Sequence, residues 1–387
     1  MTAIVARLTD PAAPGGLGAN VVSRGEWAIA RRAGVPNERI TLEGIGKTNA
    51  DLREAVRAAA AGTPLRWLAA ESADETAALA QLARDAGLGD AANRAPGSRL
   101  DVLLRLNPDV VPETHAGLAV GSGTSKFGMS ESELAGAIEA GGGPDGPLRW
   151  RGIHLHVGSQ LGAVDAWRDA VRRALALLAL LRGGLPDFDT LDVGGGFPVA
   201  PAGTTGPDGS ASVPSPALFA REIDTLLAAM PPGRRPARVA VEPGRFLVAR
   251  AGWLVGRVLH VRDRVGQPMA ILDTGMTELI RPALYGARHP VLALSTQGRA
   301  VAEFGAITAD GRLTRVEGPI CESTDALGEH RLPPLRRGDL VAIADAGAYG
   351  SALGSSYNGR PRPPQVLLEP DGRLTLARRR GIVETLG

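Results

Sequence analysis

Apolar and β-branched runs of four to six residues alternate with longer stretches whose apolar positions recur every three or four residues, up to about residue 250. The short runs predict strands at Ala19–Ser23, Arg39–Leu42, Arg66–Ala70, Asp101–Leu106, Gly152–His156, Thr190–Val193 and Arg238–Val241. The amphipathic stretches predict helices at Gly25–Ala33, Asn49–Ala61, Asp74–Ala86 and Val164–Leu181, the last capped near Gly183. Strand–helix alternation at this spacing implies parallel βα units, in a (β/α)8-type barrel or an open doubly wound sheet. Seven strands suit either. In a barrel the first strand would be missing, and because Thr2–Leu8 is weakly patterned, that strand is expected to precede Met1.

Near Gly252 the pattern changes. Short β-type runs at Trp253–Val261, Met269–Asp273, Val291–Ser295, Leu340–Ile343 and Gln365–Leu368 are separated by Gly/Pro turns, with little helical periodicity. The expectation is a barrel domain over 1–250 and a mainly β domain over 251–387. Val199–Pro216, rich in Pro, Gly, Ser and Thr, reads as a surface loop or insertion. No internal repeat is visible.

Composition narrows the function classes. A net charge of +2 with no Lys/Arg cluster argues against a nucleic-acid partner. The lone cysteine, Cys321, excludes internal disulfides and suits a reducing compartment. The longest apolar run, Ala174–Leu181, is too short to span a bilayer, and the N-terminus lacks a signal pattern. A cytoplasmic protein with no membrane partner is expected.

Three segments at predicted strand ends carry the chemistry. Gly194-Gly195-Gly196 would let backbone N–H groups approach an anion, unless it is a mere turn. Gly244-Arg245 offers a second such place with a guanidinium, and Glu242 before it could hold a protonated ring nitrogen or make a structural ion pair. His154 and His156 alternate on one strand and so share a face, where an imidazole could lie flat on a ring or sit satisfied in the core. Without a cysteine or acidic cluster at ligand spacing, this pair predicts no metal. Together these groups suit a flat, phosphorylated, cationic ring, and pyridoxal 5′-phosphate is the common cofactor that matches. Cys321, before acidic and hydroxyl residues on a predicted loop, is a candidate proton donor. Arg281 and Tyr285 could clamp a carboxylate or belong to a packed interdomain loop, and Tyr349 could reach a phosphate or pack in the core at the end of a turn.

The chain resembles the fold-type III pyridoxal-phosphate decarboxylases, and within them the diaminopimelate decarboxylases. The likeness covers nearly the whole chain. It rests on Val21-Val22-Ser23, Gly46-Lys47-Thr48, Glu71-Ser72, Arg105-Leu106-Asn107-Pro108, Lys126-Phe127-Gly128, His156-Val157-Gly158-Ser159-Gln160, the triple glycine and Glu242-Pro243-Gly244-Arg245. Arg281-Pro282-Ala283-Leu284-Tyr285, Cys321-Glu322-Ser323, Gly347-Ala348-Tyr349 and Tyr357-Asn358 follow in family order.

The resemblance implies that His156 stacks on the cofactor ring and Glu242 pairs with its nitrogen. Ser159, Gly194, Gly195, Gly196, Gly244, Arg245 and Tyr349 would hold the phosphate. Arg245, Arg281, Tyr285, Glu322 and Tyr349 would bind an amino-acid substrate, and Cys321 would return the proton across a homodimer interface with shared active sites. The implied reaction is meso-diaminopimelate to L-lysine, the last step of lysine biosynthesis. The alternatives are a catalytically inactive cofactor-binding or regulatory homologue, or a decarboxylase of a different or carrier-tethered amino acid.

Two departures from the family stand out. Its Tyr-x-x-Lys-Ala-type first strand, whose lysine forms the Schiff base, is not in this chain, and the two lysines present, Lys47 and Lys126, match other family positions. A start placed too late is the favoured explanation, ahead of truncation or a pseudoenzyme. Gly121–Ser125 also departs from the diaminopimelate pattern.

Overall fold

In the computed structural model, residues 2–12, 16–89, 98–200, 213–301 and 311–383 are described. The chain divides into two compact units, Met1–Gly196 with Pro214–Glu242, and Phe197–Val213 with Pro243–Gly387. Most of the loop expected at Val199–Pro216 lies outside the described residues.

The first unit is built on one parallel sheet. Its strands are β1 (Ala19–Val21), β2 (Ile40–Leu42), β3 (Trp67–Ala70), β4 (Leu100–Leu106), β5 (Leu148–Leu155), β6 (Thr190–Asp192) and β7 (Arg238–Ala240), paired in that order. The helices are α1 (Thr2–Leu8), α2 (Arg24–Arg32), α3 (Asn49–Ala60), α4 (Ala73–Asp85), α5 (Glu133–Ala140), α6 (Asp165–Leu181) and α7 (Pro216–Ala228). Neighbouring strands lie about 4.8 Å apart, so a flat sheet would put β2 and β7 about 24 Å apart. Ligand atoms of Glu43, just after β2, His154 of β5 and Glu242, just after β7, nevertheless lie within 4.8 Å of one another. The sheet is therefore curled, as in a (β/α)8-type barrel, with seven strands. Among the described residues the outer edges of β1 and β7 have no strand neighbour.

Local sequence sets where each helix begins. Ser23, Thr48 and Ser72 follow strands and accept the N–H groups of Glu26, Asp51 and Glu75 through their side chains. Asp51 returns a bond to the Thr48 N–H, completing a capping box. On α6, Trp167, Ala170, Val171, Ala174, Leu175 and Leu178 form one buried stripe, and Trp167 meets Phe219 of α7 edge-on at 5.1 Å.

Several elements differ from the sequence expectation. Thr2–Leu8 is a helix. β5 starts four residues before Gly152, because Arg149 and Arg151 place their charges on Asp101 and Asp189 and so tolerate strand positions. His156 lies one residue beyond the end of β5. α6 ends on Arg182 in right-handed conformation, so Gly183 is not a left-handed cap. α5 and α7 were unpredicted, although Ser215 with Pro216 at the first turn of α7 is a start signal.

The second unit is mainly β. It contains β8 (Leu254–Arg264), β9 (Gln267–Leu272), β10 (Val291–Leu294), β11 (Arg312–Glu317), β12 (Ala326–Leu332) and β13 (Leu340–Ile343), in the sheet order β10-β13-β8-β9-β11-β12. All pairs are antiparallel except β9 with β11. β14 (Gln365–Leu368) and β15 (Leu374–Arg378) form a separate antiparallel pair. Short helices α8 (Gly244–Val248), α9 (Arg281–Tyr285) and α10 (Gly350–Leu353) fill connections. Val258, Leu272, Leu279, Val316, Leu327, Val341 and Ile343 make the core. β11 and β12 escaped the sequence reading because Arg, Glu and His occupy their outward positions.

Candidate active site

In the first unit the polar groups converge at the C-terminal ends of the strands. Glu43 follows β2, His154 lies near the end of β5, Asp192 ends β6 and Glu242 follows β7. His154, Asp192 and Glu43 are buried, whereas the Glu242 side chain is 20% exposed. His154 Nε2 lies 3.0 Å from Glu242 Oε1 and 3.3 Å from Glu43 Oε2. Neither approach has hydrogen-bond geometry, and both imidazole nitrogens lack a hydrogen-bond partner among the described residues, as does Glu242 Oε1. Asn20 Nδ2 donates to Glu43 Oε2 at 3.0 Å, and Trp67 Nε1 to Glu43 Oε1 at 3.4 Å.

Burial governs the charges here. It pushes the Glu43 carboxyl up to about 7, helped by the neighbouring Glu242. It also raises Asp192 well above the usual range, and it raises Glu242. The same burial lowers His154 to about 4 and His156 to about 3, so both imidazoles are neutral at physiological pH.

His156 is tied to the glycine run. Its Nδ1 accepts the Gly195 N–H at 3.0 Å, so the ring hydrogen sits on Nε2. The Gly194 N–H is spent on Asp192 Oδ1 at 3.0 Å, which leaves the Gly196 N–H, without a partner among the described residues, to face an anion. The glycines are sterically required. Gly194 and Gly196 have φ of +68° and +97°, and a Cβ on Gly195 would lie 2.6 Å from the Glu242 carbonyl oxygen. Ser159 is held through its backbone, donating to Leu118 O and accepting from Thr114 Oγ1.

A cofactor with a ring nitrogen and a phosphate fits these residues: the buried Glu242 Oε1 lacks a hydrogen-bond donor, and the glycine cradle is one that a Cβ would fill. The two lysines do not approach this arrangement as free amines. Lys47 is buried, with Nζ 3.0 Å from Glu75 Oε1 and donating to Gly44 O, whereas Lys126 is exposed over the Phe127 ring.

The remaining candidates sit in the second unit. Arg245, in the first turn of α8, is buried, and its guanidinium stacks 4.6 Å from the Tyr349 ring centroid. Tyr349 has φ +60°, a left-handed conformation that a tyrosine seldom adopts. Gly244 is exposed, and a Cβ there would meet nothing. Arg281 opens α9 and donates to His289 Nε2 at 2.9 Å, while His289 Nδ1 donates to Ala344 O at 3.0 Å. Burial, with Arg245 nearby, lowers Arg281 to about 10. Tyr285 ends the same helix.

Cys321 and Glu322 are exposed on a loop wrapped around the Asp325 carboxyl, which accepts the N–H groups of Met276 and Ile320. Asn358 Nδ2 donates to Cys321 Sγ at 3.4 Å, and the Tyr357 hydroxyl donates to Glu322 Oε1 at 2.6 Å.

Sequence reasoning overlooked Glu43, Asp192, Asn20, Trp67 and His289. A signal for Glu43 existed, since Leu42-Glu43-Gly44 puts a carboxylate just past a strand as Val241-Glu242-Pro243 does. The absence of acidic partners for the His-x-His pair holds only along the chain, for the fold brings Glu43 and Glu242 to His154.

Comparison with known proteins gives a consistent set of relatives. The family model described as the pyridoxal binding domain of pyridoxal-dependent decarboxylases matches residues 6–249. A diaminopimelate decarboxylase of Aquifex aeolicus is 33% identical over 372 residues, covering 94% of this chain and 78% of that protein. One of Zymomonas mobilis is 32% identical, covering 96% of this chain and 79% of its own length. The crystal structure of diaminopimelate decarboxylase from Helicobacter pylori complexed with L-lysine superposes with a TM-score of 0.82 at 26% identity, covering all of this chain and 86% of that one.

Proposed function

The chain belongs to the pyridoxal-dependent decarboxylases, and from that membership we propose that it converts meso-diaminopimelate to L-lysine and carbon dioxide. The observation that carries the site reading is the buried Glu242 oxygen without a hydrogen-bond donor, beside a glycine cradle tied to a neutral His156. Bound pyridoxal phosphate supplies the electron sink that loss of carbon dioxide requires.

The protein's own residues do the rest. Glu242 would accept a hydrogen bond from the cofactor's ring nitrogen and keep it protonated, and His156, a neutral imidazole, would pack on the ring. Ser159 and Gly194–Gly196 receive the phosphate, the free Gly196 N–H facing it. In the second unit, Gly244, Arg245 and Tyr349 are assigned to the phosphate, with Arg245 and Tyr349 also contacting substrate. Arg281, Tyr285 and Glu322 hold the distal end of the amino acid. Cys321 returns a proton to the carbon that lost carbon dioxide. We further assign a cytoplasmic homodimer with shared sites; among the described residues no helix is long and apolar enough to cross a membrane.

The test measures L-lysine and carbon dioxide from meso-diaminopimelate, with L-ornithine and L-arginine alongside. It uses the chain as given and a version carrying a Tyr-x-x-Lys-Ala strand ahead of Met1. Lysine from either version supports the proposal, and turnover of another amino acid alone would sink the substrate assignment. One observation favours a second reading, a cofactor-binding homologue without turnover. Lys47 is locked on Glu75, and Lys126 lies on the surface. Cofactor binding with no product from either version would decide for it.

A further inference from the structure

Three carboxyl groups surround one neutral imidazole, His154: ligand atoms of Glu43 and Glu242 lie within 4.8 Å of its ring nitrogen, and Asp192 is its partner in register on the neighbouring strand. The cations whose fields reach this cluster are Arg105 and Lys47. Both are already paired, Arg105 with Glu71 and Lys47 with Glu75. Three carboxylates this close together, two of them buried and none with a cation of its own, cannot all be ionised, so the cluster retains protons.

Geometry decides which residue keeps one. Glu43 Oε2 and Glu242 Oε1 lie 3.3 Å and 3.0 Å from the same His154 nitrogen and within 4.8 Å of each other, an approach that two carboxyl groups tolerate best when one of them carries a hydrogen. The Glu43 side chain is 3% exposed, against 20% for Glu242. Glu242 also lies in the positive field of Arg105. Water and charge both favour ionising Glu242, while neither reaches Glu43.

We propose that Glu43 is a positioning residue: protonated, it donates a hydrogen bond to Glu242 and holds that carboxylate charged and aimed at the cofactor's ring nitrogen. Asn20 and Trp67 fix the Glu43 carboxyl through its two oxygens, so its hydrogen has a set direction. His154, neutral and without a hydrogen bond among the described residues, fills the space between the two acids and supplies no charge. Asp192 accepts the Gly194 N–H and feels the charge of both acids, so it joins the same electrostatic group. The inference rests on the reading that Glu242 meets the ring nitrogen, and its test separates the two.

Infrared difference spectra of the cofactor-free full chain, taken near pH 6, read protonated carboxyl groups directly. Glu43→Gln is expected to remove one protonated-carboxyl band, and Asp192→Asn marks the band belonging to Asp192. A spectrum in which Glu43→Gln removes no band overturns the proposal, whatever the cofactor does. The second measurement is affinity for pyridoxamine 5′-phosphate, which has the ring nitrogen and phosphate but no aldehyde and so needs no lysine. Glu43→Gln keeps a donor to Glu242 and should bind within about threefold of the parent. Glu43→Ala removes the donor and should bind about tenfold or more weakly, the scale of a hydrogen bond to a charged group. Should Glu43→Ala fail to fold, the Glu43→Gln pair of measurements stands alone, and a loss of tenfold or more in Glu43→Gln would count against the donor role. Glu242→Gln separates the readings: unchanged affinity there defeats the assignment of Glu242 to the ring nitrogen, while the infrared band still judges the shared proton.

Discussion

Glu43 and the two imidazoles pull the pH dependence of stability in opposite directions. A carboxyl raised in the fold from 4.5 to about 7 makes the folded state the stronger proton binder, so stability falls as pH rises through that window. His154, lowered from 6.5 to about 4, does the reverse, and stability is lost as pH falls below about 6.5. Glu43→Gln removes the first trend and leaves the second. Its unfolding free energy is therefore expected to gain on the parent by up to about 1.4 kcal/mol per pH unit between those limits. Urea unfolding at pH 5, 6 and 7 checks this, and parallel curves for the two proteins would contradict it. Gly195 gives a steric prediction at the same scale. Gly195→Ala puts a methyl 2.6 Å from the Glu242 carbonyl oxygen, where backbone must move and the His156 contact shifts. A loss of about 2 kcal/mol is expected, read as a lowered Tm.

Among the elements, the first three βα units were legible because each strand is a short apolar run and each following helix starts on Ser or Thr three residues before an acid. Thr48→Ala should cost about 1 kcal/mol in thermal unfolding through loss of the α3 cap. The full extent of β5 was hidden, because its first half is charged and its register carries a bulge opposite Val102 and Leu103. Gly152, at φ +153°, ends that bulge, and a Cβ there would lie 1.7 Å from the Thr190 carbonyl oxygen of β6. Gly152→Ala is expected to cost about 3 kcal/mol or more, since strand pairing and backbone conformation are disturbed together. Circular dichroism melting equal to the parent would refute this.

At the level of the whole molecule, the edge of β7 is a liability. Val239 and Val241 are 41% and 53% exposed beside a strand edge with no neighbour among the described residues. Val239→Lys should reduce concentration-dependent light scattering while leaving the circular dichroism spectrum unchanged. Scattering that persists would place self-association elsewhere. The sequence by itself determined the parallel βα class, the change to β structure after Gly252 and membership of a pyridoxal-phosphate family. Strand propensity, capping and glycine runs are local, and local interactions are written in adjacent residues. What the tertiary structure decided is the company each group keeps. Curling the sheet brings Glu43 and Glu242 to His154, beside Asp192 on the neighbouring strand, where desolvation rather than residue type sets which acid holds a proton. Burial and charge pairing arise between residues about two hundred positions apart, so no window of sequence contains them.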